Sequence, residues 1–163
     1  MNKSSVHPIA EESPGFLLWQ VSTLWSKSTT VALKPLGLTH PQFVILAIID
    51  WLTGKGVSQE EISKQSVLDP KTTSHLLRSL QVKGLIEPSH ITNKKSSFPQ
   101  LTTAGTKMLA KALPVVETSD AAFFTSIDQK NSKIVATMQI LARANISKSD
   151  GEPCSLTEND EES

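Results

Sequence analysis

Between Ser58 and Gly84 the chain carries two sets of helix-boundary signals, in a stretch with room for only two small helices and a tight turn. Ser58 stands three residues before Glu61, the spacing at which a hydroxyl caps a helix and an acidic side chain returns the bond. Asp69 then precedes Pro70, an N-cap followed by a residue whose fixed φ suits the first helical position, and Gly84 follows the last turn. The pattern predicts a helix from Ser58 to about Ser66, a turn around Val67 and Leu68, and a second helix from Pro70 to about Lys83. This is a helix-turn-helix. Neither helix is long enough to be stable alone, so the rest of the chain must supply the surface they pack on.

On a helix starting at Pro70, Thr73, Leu76, Leu77 and Leu80 share one face, and Lys71, Ser74, His75 and Arg78 share another. The first face packs and the second is left to solvent. Hydroxyls, an imidazole and a guanidinium offer donors and acceptors of different reach, which suits base edges and phosphates in a DNA major groove. Any exposed helix face is polar, however. The capped helix before this one and the hairpin expected after it favour DNA.

That hairpin is predicted from Leu85 to Pro88, a polar loop over Thr92 to Ser97, and a return strand ending near Leu101. Pro99 has no N–H to give a ladder, so the second strand must place it at an open edge or a bulge. Lys94 and Lys95 fall at the expected tip, where they suit phosphate or minor-groove contact, although adjacent lysines in a loop are more often simple solvated charge.

Flanking segments complete a mainly α fold with a small β-hairpin wing. Apolar residues from Phe16 to Leu33 recur at helical spacing with no internal Gly or Pro, and Pro35 and Gly37 end that helix. Thr39 and Gln42 form a capping box, with Pro41 between them, for a helix through Phe43, Leu46, Ile49 and Trp51 that Gly54 and Gly56 close. Thr102 and Gly105 open a long helix through Met108, Leu109, Ala112, Leu113 and Val116, which Pro114 is expected to kink. A last helix after Asp128 sets Ile134, Val135, Met138, Leu141 and Ala142 on one face.

A unit over 14–146 is therefore expected, with a winged helix-turn-helix over 39–102 between outer helices at 14–35 and 103–146. The outer stripes exceed what the small centre can cover, so subunit association is their expected use. The polar ends, 1–13 and the acidic 147–163, are expected to be disordered.

Net charge is zero, but its distribution is uneven. All 16 Lys and Arg precede residue 151, against 11 of the 16 acidic residues, so residues 1–150 carry +5 and the last five acids lie in the tail. The span from Lys55 to Lys111 alone holds nine basic and four acidic residues, which places the basic surface around the helix-turn-helix.

Other chemistries lack their residues. Cys154 is the single cysteine, so no internal disulfide or zinc finger is expected, and His7, His40, His75 and His90 are not spaced as metal ligands. No nucleotide loop, nucleophile elbow or acid–base pair is present, so neither enzymatic activity nor a cofactor is expected. No apolar run approaches a membrane span and Met1 to Pro14 lacks a secretory core, so a cytoplasmic protein without a membrane partner is expected.

Several separated motifs occur in order: Leu36-Gly37-Leu38-Thr39-His40-Pro41-Gln42-Phe43, Leu68-Asp69-Pro70-Lys71-Thr72-Thr73-Ser74 with Leu80, Lys83-Gly84-Leu85-Ile86, and Leu101-Thr102-x-x-Gly105. Together they resemble the multiple-antibiotic-resistance regulator (MarR) family of bacterial transcription factors. The resemblance spans roughly residues 14–124. It implies a homodimer built by the N- and C-terminal helices, each subunit presenting a recognition helix and a wing to a roughly palindromic operator in double-stranded DNA. By position, the DNA-contacting residues are Lys71, Thr72, Ser74, His75 and Arg78, with Lys94 and Lys95 on the wing. The family's wing usually has an Asp-x-Arg motif, and here Asn93 and Lys95 replace it. An amide cannot form that ion pair, and lysine lacks the planar fork of arginine.

The resemblance also implies a response to a small aromatic effector, with Trp19, Trp25, Phe43 and Trp51 as candidate lining residues. Aromatics at helical spacing are core residues in most proteins, so both roles stand for these four. Cysteine-based sensing is not expected, since Cys154 lies in the tail and the chain has no tyrosine. The reading that follows is a ligand-responsive repressor. The alternative is a winged-helix interaction module that has lost DNA binding, for which the neutral total charge and the Asn93 and Lys95 substitutions speak.

Overall fold

The computed structural model describes residues 13–52, 58–87, 98–125 and 132–149. Six α-helices follow in order: α1 (Pro14–Leu33), α2 (His40–Trp51), α3 (Gln59–Ser66), α4 (Pro70–Val82), α5 (Thr103–Phe123) and α6 (Ser132–Ser149), with a 3-10 turn at Lys34–Leu36 after α1. The described residues up to Phe124 form one compact unit, and α6 belongs to a second. Gly54, Gly56, His7, His90, Asn93, Lys94, Lys95, Asp128 and Cys154, with the wing loop 92–97 and most of both expected disordered ends, lie outside the described residues.

Local capping chemistry sets most helix starts. The Thr39 hydroxyl accepts from the Gln42 N–H while the Gln42 side chain accepts from the Thr39 N–H, closing the expected box. Ser58 accepts from the Glu61 N–H at 3.1 Å, and Thr102 from the Gly105 N–H at 3.0 Å. The first helix starts ahead of its apolar stripe, at residue 14. Ser13 caps α1 and Pro14 occupies its first turn, so the helix begins ahead of Phe16 because a cap and an N-terminal proline precede the apolar stripe. At the other end, α6 continues to Ser149, past the change in composition at Ser147.

α4 ends in a Schellman turn. Gly84 has φ +67°, its N–H donates to the Gln81 carbonyl, and the Leu85 N–H donates to the Leu80 carbonyl at 3.0 Å. α3 ends the same way with Val67 in the left-handed position at φ +56°, the Leu68 N–H reaching the Ser63 carbonyl and the Ser63 hydroxyl returning a 2.6 Å bond to the Leu68 carbonyl. These bonds fix the turn between the two short helices.

A continuous core binds the first unit together. Leu33, Ile45, Leu46, Ile62 and Leu80 are fully buried, joined by Ile49, Leu77, Ile86, Leu109 and Ala112. α1 packs along α5, and α2 contacts α1, α3, α4 and α5. The helix-turn-helix therefore rests on α2. α5 continues through Pro114, and the Thr118 hydroxyl donates to the Pro114 carbonyl at 2.7 Å.

The expected strands shrink to a single antiparallel bridge, Ile86 to Leu101, among the described residues. The Glu87 N–H donates to the Gln100 carbonyl at 2.8 Å and the Thr102 N–H to the Leu85 carbonyl at 3.1 Å. The ladder cannot extend inward, because the Leu85 N–H is committed to the end of α4 and Thr102 already caps α5. Pro99 offers no donor on the return side.

Candidate nucleic-acid interface

α4 is held at three levels. At its start the Asp69 carboxylate accepts from the Thr72 N–H at 2.9 Å, and the Thr73 hydroxyl donates back to the Asp69 carbonyl at 3.0 Å. Bonds from the Thr72 hydroxyl and then its N–H hold the Asp69 carboxyl below its ordinary value, so the cap stays ionised at neutral pH. Along its length, Thr73, Leu77 and Leu80 are buried and Leu76 packs against the core. The Schellman turn fixes its end.

What remains outside is the polar face. Lys71, Thr72, His75 and Arg78 are exposed and Ser74 is half-buried. The side chains of Lys71, His75 and Arg78 have no hydrogen-bonding or ionic partner among the described residues. Thr72 is different, because its hydroxyl is engaged with Asp69 and has to serve the cap as well as any outside partner. α4 thus presents two cations and an imidazole on one side of a rigid rod whose positive N-terminal dipole is balanced by Asp69.

The four aromatic candidates do not converge. Trp19 and Trp51 are 64% and 70% exposed in the protomer, whereas Phe43 is a core residue. Trp25 is half-buried where α1, α2 and α5 meet. Its indole N–H donates to Asp120 Oδ1 at 2.7 Å, and its ring meets His40 edge-on at 4.7 Å. Burial pushes the His40 imidazole below its ordinary value, and the nearby Asp120 carboxylate pulls it part of the way back. An open cavity of about 600 Å³ lies beside this junction, between Val31 and Ala32 of α1 and Pro114, Val115 and Ala122 of α5, with hydroxyls from Ser28, Thr118 and Ser119. None of the four aromatics lines it.

Sequence reasoning missed the polar contacts made across helices. Gln42, read only as a capping residue, also donates from Nε2 to the Ser79 hydroxyl at 2.8 Å and accepts from Lys83 Nζ at 2.9 Å. The approach of Asp120 to His40 likewise carried no signal, since no motif relates the two residues. No group of three His, Cys, Asp or Glu able to hold a metal occurs among the described residues.

The profile of the MarR family matches residues 38–96, the segment that contains this helix-turn-helix. The chain is 34% identical over 132 residues to the uncharacterized HTH-type transcriptional regulator YdcH of Bacillus subtilis, covering 79% of this chain and 90% of that one. The chain belongs to the MarR family. A second relative, the HTH-type transcriptional repressor Rv2887 of Mycobacterium tuberculosis, is 30% identical over 115 residues, 69% of this chain and 81% of that protein. The solved complex of this MarR family protein with DNA matches at a TM-score of 0.63 and 25% identity, over 80% of this chain and 97% of that one. Its complex with salicylic acid matches at 0.64 and 26%, over 82% and 99%. CouR of Rhodococcus jostii bound to p-coumaroyl-CoA shares the fold at 0.73 and 20% identity, over 86% and 96%. As a MarR family member the chain is an HTH-type transcription regulator, and these relatives are named as regulators rather than enzymes. No single helix among its described residues is long and apolar enough to cross a membrane.

Proposed function

We propose that this MarR family regulator is a repressor that binds a palindromic operator as a homodimer, laying α4 of each subunit in the major groove. The observation that carries the reading is the outward face of α4, where Lys71, His75 and Arg78 have no partner among the described residues while the opposite face is locked into the core. Ser74 and Thr72 flank them, and Lys94 and Lys95, outside the described residues, are assigned to the same DNA surface by their place in the sequence. Long basic side chains position the helix on phosphates, and Arg78 has the fork to pair with guanine.

Dimerisation is supported by what each unit leaves uncovered. α1 exposes Phe16, Leu17, Leu18, Trp19, Leu24 and Val31, and α6 exposes Val135, Met138, Ile140 and Leu141. Such stripes favour association through the outer helices. A small aromatic effector is supported by the salicylic acid complex of Rv2887 and by Trp25 at the junction of α1, α2 and α5.

A gel-shift series with the protein's own upstream region tests the reading. If six to eight phosphates are neutralised per dimer, log affinity falls against log salt with a slope of roughly −5 to −7. Arg78→Ala weakens binding by about tenfold or more. No binding at low salt would refute the proposal, and an unaffected Arg78→Ala would remove that residue from the contact set. Quenching of Trp25 fluorescence by salicylate, lost in Trp25→Phe, tests the effector site.

A further inference from the structure

Ser79 in the last turn of α4 and Lys83 at its C-terminal cap lie four residues apart on one flank, and both are gripped by one buried side chain. Gln42 is only 6% exposed. Its Oε1 accepts from the Thr39 N–H at 3.1 Å and from Lys83 Nζ at 2.9 Å, while its Nε2 donates to the Ser79 hydroxyl at 2.8 Å. Lys83 Nζ also donates to the Gly37 carbonyl at 2.6 Å, in the connection between α1 and α2. One amide therefore closes the N-terminus of α2 and clamps α4 at two points.

Most of the remaining α4 contact is apolar, with longer polar contacts only at its two ends among the bonds described, from Gln59 Nε2 to the Pro70 carbonyl and from Gln81 Nε2 to the Glu87 carbonyl, each 3.4 Å. Leu77 and Leu80 resist separation from the core, but dispersion and hydrophobic burial are non-directional and oppose a small roll or slide only weakly. Hydrogen bonds are directional, losing strength steeply with angle. The Gln42 clamp lies on the side of α4 next to the outward face, so a roll about the helix axis would break it and would swing Ser74 and Arg78 together. Base-edge contacts need geometry held to within a fraction of an ångström, whereas flexible lysine and arginine contacts to phosphate tolerate displacement.

We infer that Gln42, acting through Ser79 and Lys83, is a positioning residue that sets the roll of the recognition helix and thereby its sequence specificity. The inference rests on the reading of α4 as the DNA-contacting helix. It also assigns Lys83, one of the basic residues of the central span, to the clamp rather than to phosphate.

The test uses the full chain, a duplex selected by the wild-type protein from a randomised pool, and a scrambled duplex of equal length. Ser79→Ala and Lys83→Met are each expected to lose about tenfold in affinity for the selected duplex, the order of a net hydrogen-bond contribution. They should change binding to the scrambled duplex by less than about twofold and leave the salt slope intact. Selection repeated with Ser79→Ala should return a broadened base preference. A loss that is equal on both duplexes, or unchanged affinity for the selected one, would overturn the inference, and a salt slope lowered by about one in Lys83→Met would return that lysine to the phosphate contacts. A combined Lys71→Ala, His75→Ala and Arg78→Ala variant separates the two levels: if the wild type binds and that variant is unaffected on either duplex, the assignment of α4 to DNA fails instead.

Discussion

Replacing Val67 by glycine should stabilise this protein, although it deletes an apolar side chain. Val67 has φ +56° at the end of α3, a conformation that crowds the β-carbon of any L-residue and most of all a β-branched one. The left-handed conformation costs about 1–2 kcal/mol, and valine belongs at the upper end of that range. Against this relief, glycine adds about 0.5–1 kcal/mol of unfolded-chain entropy. Val67 is 69% exposed, so lost burial subtracts only a few tenths of a kcal/mol, at ~25 cal/mol per Å². The net expectation is a gain of about 1 kcal/mol, or a rise of about 3 °C in melting temperature. Urea denaturation followed by circular dichroism reads it as a higher midpoint with an unchanged slope. Val67→Ala is the control, because it removes the same exposed methyls but keeps the β-carbon and so keeps the strain. If Val67→Gly is no more stable than Val67→Ala, left-handed strain is not what this position carries.

Gly105→Ala should destabilise by about 1–3 kcal/mol in the same assay, because a β-carbon there overlaps the Leu85 carbonyl, a backbone atom held by the Thr102 N–H and unable to step aside. Leu80→Ala should cost about 2–5 kcal/mol, since Leu80 is fully buried where α4 meets the core. Asp69→Asn keeps a capping oxygen but cannot titrate. The folded Asp69 holds its proton less tightly than the unfolded chain does, so its contribution is fully present above about pH 4 and lost as pH falls through the lower folded value. Wild type should therefore lose its advantage over Asp69→Asn on acidification, and parallel denaturation curves would refute this. His40 carries a second acid sensitivity. Its folded imidazole is harder to protonate than the unfolded one, so stability is flat above about pH 6.5 and declines below it, and His40→Asn should remove that slope in urea midpoints compared at about pH 7.5 and 5.5.

The starts of α2, α3, α4 and α5 were legible because each is written by residues no more than four apart: Thr39 with Gln42, Ser58 with Glu61, Asp69 with Thr72, and Thr102 with Gly105. The two faces of α4 were legible for the same reason, since helical periodicity sorts Leu77 and Leu80 from Lys71, His75 and Arg78 without reference to any other part of the chain. The wing was less so. A short alternating run reads as strand, but among the described residues the ends of α4 and α5 claim the backbone groups on the helix side of the Ile86–Leu101 bridge, and the loop 92–97 lies outside those residues.

Only the tertiary structure decided which polar groups meet. Trp25 and Asp120 are 95 residues apart, and Gln42 and Ser79 are 37 apart. No local pattern marks either pair, because their approach follows from how α1 lies on α5 and how α4 crosses α2. The sequence by itself determined that Ser58 to Gly84 is a helix-turn-helix with one polar face outward. The packing of α4 on α2 decided what grips that helix from the side, because a hydrogen bond between distant residues exists only after the apolar core has brought its two ends within reach.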